Sequence, residues 1–299
     1  MYSKRRILKT GVLAIVMTIA FASFAFRVEE WTKALRSDFV VLGQTGTGGG
    51  STGSSGGGGG TSVSVTKILP QIAIGTFDGN LTKYSTVIEI VNTNSTPVTV
   101  SGNFYNTNGS PSTVAYATNL TASPTITGSL PSTTLGARSV IVITGNTSPT
   151  YAANWAKITA TGAVSIATFF EIRDGATNAL SSRVGVNASP ANMSKFVMSR
   201  VHSPSLELAF ALVNTGAEPA VYTATLRDVN GNTIATKTES LGALSQTAKL
   251  TDGFFGLTNQ PAGTSYSFIT FESSSAAFGA IAVSFEGASQ TSFPVDQLQ

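Results

Sequence analysis

No cysteine occurs among the 299 residues, and His202 is the only histidine. Those two shortages exclude disulfide scaffolds, zinc fingers, iron–sulfur clusters, cysteine nucleophiles and poly-histidine metal sites. Charge is scarce too. Asp, Glu, Lys and Arg make up 11% of the chain, which argues against a helical bundle, a coiled coil or a charged disordered chain. The formal net charge is +3, from 18 cationic and 15 acidic side chains. Four of the cations, Lys4, Arg5, Arg6 and Lys9, cluster at the N-terminus; without them 14 face 15. No basic footprint for nucleic acid is left.

What is present first gives an address. Behind the basic cluster, Gly11 to Phe26 is an apolar run of 16 residues, in the order of a secretory signal. The small-x-small site Ser23-Phe24-Ala25 allows cleavage after Ala25, so residues 1–25 are a signal peptide or, uncleaved, a signal anchor. Membrane contact is expected only through this segment. Residues 26–42 follow, with Val28, Trp31, Leu35 and Phe39 at spacings that one amphipathic helix face would share. Residues 43–66 are read as a flexible linker, nearly pure Gly, Ser and Thr up to Ser62. Inside it, Gly48 to Gly53 formally satisfies both a dinucleotide fingerprint and a nucleophile elbow. Both motifs need a preceding strand and a following helix, and neither flank exists.

Beyond the linker the chain repeats itself. Val91-Asn92-Thr93 returns as Val213-Asn214-Thr215, Pro97 as Pro219, and Asn108-Gly109 as Asn230-Gly231, all at an offset of 122. Leu135-Gly136-Ala137 returns as Leu241-Gly242-Ala243 at an offset of 106, so the first copy carries about 16 extra residues between Ser110 and Ser132. Period-two, β-branched segments recur in both copies, among them Thr86 to Val91, Val98 to Tyr105, Leu208 to Val213 and Ala220 to Arg227. The Asn-Gly pairs suit type I′ hairpin turns. Short strands at this spacing predict an all-β chain of two tandem antiparallel β-sandwich (Ig-like) domains, over residues 67–190 and 191–299. A single helical turn is expected near Gly253 to Leu257.

Leu69-Pro70-Gln71-Ile72-Ala73, the Val-Asn-Thr and Pro pattern, Asp228-Val229-Asn230-Gly231-Asn232 and the closing Phe293-Pro294-Val295 resemble secreted tandem β-sandwich proteins of environmental bacteria. The resemblance spans about Lys67 to Asp296 and implies export and the sandwich fold; no activity comes with it.

Candidate sites are few. His202 would have to serve any Ser-His-acid triad or histidine base, but no nucleophile elbow accompanies it, and a loop histidine is expected. Glu171 and Glu286 close matching Phe-Glu segments; a glycosidase needs its carboxylates roughly 5–10 Å apart, so each is expected instead to pair locally, Glu171 with Arg173. Asp228, Asn230 and Asn232, like Asp78 and Asn80, place oxygens at alternate positions, yet without the Gly and Glu placement of a calcium loop; turn chemistry explains them. Trp155 shares its strand phase with Lys157, Thr159 and Thr161, which favours exposure and makes it the one candidate ligand-binding residue, a stacking platform for polysaccharide. No catalytic residue, cofactor or metal is expected. The leading expectation is an exported, non-enzymatic structural or adhesion protein, at the cell surface, outside the cell or in the periplasm. Its partners would be itself, other surface proteins or polysaccharide. The alternative is a carbohydrate-binding module centred on Trp155.

Overall fold

The computed structural model describes residues 64–77, 81–145, 148–203, 206–257, 266–274, 277–286 and 289–298. The signal segment, the amphipathic segment and the glycine run lie outside the described residues. Val65 and Thr66, expected in the linker, already belong to the first strand, paired with Ala160 and Thr159.

The first half contains β1 (Val65–Phe77), β2 (Thr82–Asn92), β3 (Val98–Asn106), β4 (Ala115–Thr118), β5 (Thr125–Thr127), β6 (Ser129–Leu135), β7 (Val140–Gly145), β8 (Ala152–Ala160), β9 (Val164–Asp174), β10 (Leu180–Asn187) and β11 (Ser189–Pro190). All pairings are antiparallel, and these eleven strands form one continuous sheet that β1 folds over on itself. The first part of β1 lies between β11 and β8, continuing to β3 and β6. Its last residues, Gly75–Phe77, join β2 in the opposite layer, with β7, β4 and β5 to one side and β9 and β10 to the other. A register shift between Leu69 and Ile72 and a left-handed Gly75 (φ 95°) make that crossing possible. Pro70, which has no N–H to give a ladder, sits at the irregularity. Between the layers lies an apolar core that includes Ile72, Val100, Phe104 and Ile158 from one side and Ile88, Ile90, Ile141 and Ile166 from the other.

The second half contains β12 (Lys195–Val201), β13 (Leu206–Asn214), β14 (Ala220–Asp228), β15 (Thr233–Leu241), β16 (Gln246–Leu250), a short helix α1 (Thr251–Phe255), β17 (Tyr266–Ser273), β18 (Phe278–Glu286), β19 (Ser289–Phe293) and β20 (Val295–Gln297). Its layers are β15-β14-β17-β12-β20 and β16-β13-β18-β19. The order β6-β3-β8-β1-β11 of the first half is the same order, strand for strand, and so is β7-β2-β9-β10. The added β4–β5 hairpin falls within the stretch where the first copy was read as longer. A second core, with Met198, Leu226, Ile269 and Phe271 facing Leu208, Phe210, Leu212 and Ala282, fills this half.

Two turn details differ from expectation or sharpen it. In each Asn-Gly hairpin only the glycine has positive φ, 84° at both Gly109 and Gly231. The turns are therefore type I closed by a left-handed glycine, not type I′; the bonds Asn106 N to Ser110 O (2.8 Å) and Asp228 N to Asn232 O (2.9 Å) close them. The second detail concerns the repeated Val-Asn-Thr. The Asn92 amide donates to the carbonyls of Thr96 (2.8 Å), Leu135 (3.1 Å) and Gly136 (2.9 Å). The Asn214 amide donates to Glu218 (2.8 Å), Leu241 (3.2 Å) and Gly242 (2.9 Å). Each amide thus ties together the two places where the chain passes between layers, β2 to β3 with β6 to β7, and β13 to β14 with β15 to β16.

Replacing Asn214 by Asp removes the donor and sets a carboxylate against three carbonyls. Gly242 O keeps the Ser245 N–H and Gly136 O the Ser139 N–H, but the other two carbonyls of each set lose this donor at about 1–3 kcal/mol each where buried. Asn214→Asp should therefore lower the denaturant midpoint by an amount equivalent to roughly 3 kcal/mol, as should Asn92→Asp. Equilibrium unfolding checks both, and a change of under half a kilocalorie would refute the tie.

Candidate functional site

Two polar clusters and one aromatic joint gather the residues that chemistry or binding could use. The first cluster lies at one end of the second half. Arg200, on β12, is 1% exposed and is built into a cage: Nη2 donates to Asp252 Oδ1 at 2.5 Å, Nε to Thr251 Oγ1 and Nη1 to Ser267 Oγ, both at 3.3 Å. Asp252 and Thr251 come from α1, Ser267 from β17. His202 follows β12, half-buried, its Nδ1 3.4 Å from Asp252 Oδ2 without hydrogen-bond geometry. Burial lowers the His202 pKa, and the nearby Arg200 charge lowers it further against the attraction of Asp252. The hydroxyls of this cluster accept from the guanidinium, so it is organised around Arg200 rather than around an imidazole base. It holds α1 to the end of the core, where Phe254 meets Phe210 edge to face.

The second cluster is centred on Glu171, 2% exposed on β9. Arg173 reaches it through Nε (2.8 Å) and Nη2 (2.7 Å), and Arg183 through Nε (2.8 Å) and Nη2. Burial alone would raise this carboxyl, but the hydrogen bonds from Arg183 and Arg173 outweigh it and hold it below the ordinary range. The local pairing with Arg173 matches expectation; Arg183, twelve residues away, reaches Glu171 only through the β9–β10 pairing. Glu286 is not its counterpart. Glu171 is opposite Ser85 and Glu286 opposite Leu206, and Leu206 corresponds to Tyr84 at the 122-residue offset, whose partner is Ile172. The two carboxylates are thus one residue out of register, which in a strand means opposite faces.

Asp228 behaves as the turn residue expected. It accepts from the Asn232 side chain (2.9 Å) and from the backbone N–H of Asn232 (2.8 Å) and Asn230 (2.9 Å), and these bonds lower its pKa. Asp78 and Asn80 lie outside the described residues. Among the described residues no group of three or more His, Cys, Asp or Glu is placed to hold a metal. Among them, too, no helix is long and apolar enough to cross a membrane.

Trp155 requires a correction. It does lie on the face opposite the core residues Ala156, Ile158 and Ala160, as its phase indicated, but it is 0% exposed. The second half covers it. Its ring stacks on Tyr105 (centroids 4.4 Å apart, planes at 18°), its Nε1 donates to Leu244 O at 2.9 Å, and Ile68 and Val213 complete the cluster. Gln246 N donates to Thr107 O at 2.8 Å beside it, and the Gln246 amide meets Gln71. A second apolar contact joins Phe170, Val184 and Val186 of the first half to Ala211, Ile281 and Val283 of the second. Trp155 thus offers no ring face to a sugar; it is the centre of a joint within the compact unit Ser64–Gln299. From sequence the Arg200–Asp252 pair and this joint were missed, because both join residues far apart in the chain.

Comparison with protein families, with curated proteins and with solved structures finds no match to this chain. Function is therefore read from the residues above.

Two outcomes follow. Trp155→Ala should cost about 3–5 kcal/mol, as for other buried aromatics, read by thermal or chemical unfolding; an unchanged midpoint would refute the joint. For His202, the folded pKa lies below the unfolded value, so the unfolded chain binds more protons as pH falls through the region near 6.5. Stability should therefore decline on acidification through that window, and His202→Gln should remove this step while leaving the carboxylate losses at lower pH. Parallel denaturation curves between pH 8 and pH 5 would test it, and identical slopes for both proteins would exclude the effect.

Proposed function

We propose that this is an exported, non-enzymatic structural protein, displayed at the cell surface or released outside it, built from two copies of one β-sandwich held in fixed relation. The observation that carries the reading is the use made of the reactive side chains. Arg200, Asp252, Glu171, Arg173 and Arg183 are engaged with one another, and Trp155 is spent on the joint. These groups give rigidity instead of an open cleft with a nucleophile and a base. The duplication is supported by the matching strand orders and by the matching hydrogen-bond sets of Asn92 and Asn214.

The outer faces fit the same reading. Thr223 and Thr225 on β14 lie beside Thr238 and Thr236 on β15, with Thr270 of β17 next to Thr225; Thr99 and Ser101 on β3 lie beside Thr134 and Thr159. Such hydroxyl-rich faces, whose charges are Arg227, Lys157 and the Lys195–Glu272 pair, suit contact with neighbouring surfaces better than steering of a charged substrate. Export is supported by the order of basic and apolar residues over the first 26 positions.

The test is where the native protein is found and what N-terminus it carries. Recovery from membrane, periplasm or medium, beginning at Phe26 or retained as the full-length anchored chain, is expected. Recovery from the cytosol with Met1 in place would overturn export. A hydrolytic activity of the purified chain that disappears in His202→Ala would overturn the non-enzymatic reading.

A further inference from the structure

The joint inside the chain is not symmetric: one surface of the first half receives a different surface of the second. The receiving surface is Tyr105, Trp155, Ile68 and the turn at Thr107 to Gly109. The inserted surface is Val213 with the β15–β16 corner, Leu244 to Gln246. Because both halves share one strand order, each surface has a counterpart that the joint leaves unused. The strand registers identify them. Tyr105 faces Trp155 as Arg227 faces Phe268, so the second half's receiving surface is Arg227, Phe268 and the turn at Val229 to Gly231. Val213 faces Gln246 as Val91 faces Val140, so the first half's inserting corner is Arg138 to Val140.

Those counterparts have the same backbone shape and lack the cover. Arg138 and Leu244 are both left-handed, at φ 58° and 52°. A Cβ on Gly109 would lie 2.8 Å from Ala243 O, whereas one on Gly231 would meet nothing within 4 Å. Val140, Val229 and Tyr266 are 39%, 66% and 65% exposed, and all three are among the few large apolar side chains left in water by the described residues.

We propose that the protein associates head to tail with a second copy of itself. The Arg138–Val140 corner of one chain seats on the Arg227, Val229 and Phe268 surface of the next, as Leu244–Gln246 seats on Tyr105, Thr107 and Trp155 within each chain. The idea rests on the two-copy structural reading above and names its partner. The contact is heterologous, so it leaves a free surface at each end and grows open-ended chains instead of closing at a dimer. It is also weaker than the internal joint. Phe268 has no N–H to replace that of Trp155, and the apolar Ala211 and Phe285 of the second half correspond to Glu89 and Glu171 in the first.

Sedimentation of the full chain over a wide concentration range tests this. The average size of the wild-type protein should rise with concentration without levelling at a dimer. Val140→Asp removes the inserting corner and Val229→Asp, on an exposed turn, the receiving one. Each alone should weaken association at least tenfold, with its melting curve reporting that it is folded; if Val140→Asp does not fold, Val229→Asp carries the test. An equimolar mixture of the two should form dimers and stop there, because each variant keeps the surface the other lacks. A wild-type protein that stays monomeric, a plateau at a closed dimer, or variants that assemble like wild type would overturn the proposal. None of these results bears on where the protein resides in the cell, so the assembly and the export reading fail separately.

Discussion

Each half of this molecule depends on one buried asparagine amide. A sandwich must carry its chain between layers, and the crossings expose backbone carbonyls that no ladder partner reaches. Asn92 and Asn214 each gather three such carbonyls around the two N–H bonds of one amide, one hydrogen being shared, from two different crossings. A buried carbonyl without a donor costs more than an ordinary hydrogen bond contributes, so the amide fixes both crossings in one geometry. The side-chain oxygen is used as well, accepting from Asn94 N in the first half and Gly216 N in the second, both at 2.9 Å. The Val-Asn-Thr repeat therefore marks a position where only a side chain that both donates and accepts will do.

The consequence reaches the joint. By holding Leu241 and Gly242, Asn214 sets the corner that follows, in which Leu244 takes its left-handed conformation and Ser245 N returns to Gly242 O at 3.2 Å. That corner turns the Leu244 carbonyl toward the indole of Trp155. A polar bond at the centre of an apolar contact adds direction to burial, which alone has none. Two apolar patches, one around Trp155 and one around Val184 and Ile281, then hold the halves at two separated places. Contact at two places resists rotation in a way that a single patch does not.

Much of the fold was legible in the sequence because strands write a period of two and turns write Gly, Asn and Pro. The four strand segments named from pattern all fall on observed strands, and the repeat offsets match the registers at Val91 and Val213 and at Leu135 and Leu241. What failed did so for physical reasons. Strand phase gives Trp155 its correct face and the wrong environment, because a face that would be solvent in the first half alone becomes a joint when the second half sits on it. Glu171 and Glu286 were equated through a shared Phe-Glu, and a one-residue slip is invisible to local similarity while it reverses the face. Gly109 and Gly231 stand in the same turn with the same φ, yet one is enclosed and the other open. The Arg200 cage joins β12, α1 and β17, whose members are some fifty to seventy residues apart, and no spacing rule announces such a meeting.

Two halves of one strand order that meet through an asymmetric joint leave a counterpart of each joint surface outside it, and those counterparts differ from the surfaces in the joint. Inside the chain the two halves are covalently linked, so the joint forms at high effective concentration and can be largely apolar without risk. The same chemistry at the free ends would leave an adhesive patch on every molecule. Here the backbone geometry of the joint persists at those ends, while four positions of its second patch turn polar: Glu89 stands for Ala211, Glu171 with Arg173 and Arg183 for Phe285, Ser284 for Phe170 and Thr291 for Val184. Terminal units of repeat proteins are modified in the same sense, polar where an inner unit is apolar. The Glu171 cluster, which would look like a site if viewed alone, is two arginines paired with one carboxylate at the position where the second half has the apolar Phe285, the kind of polar substitution that keeps an outer face from adhering.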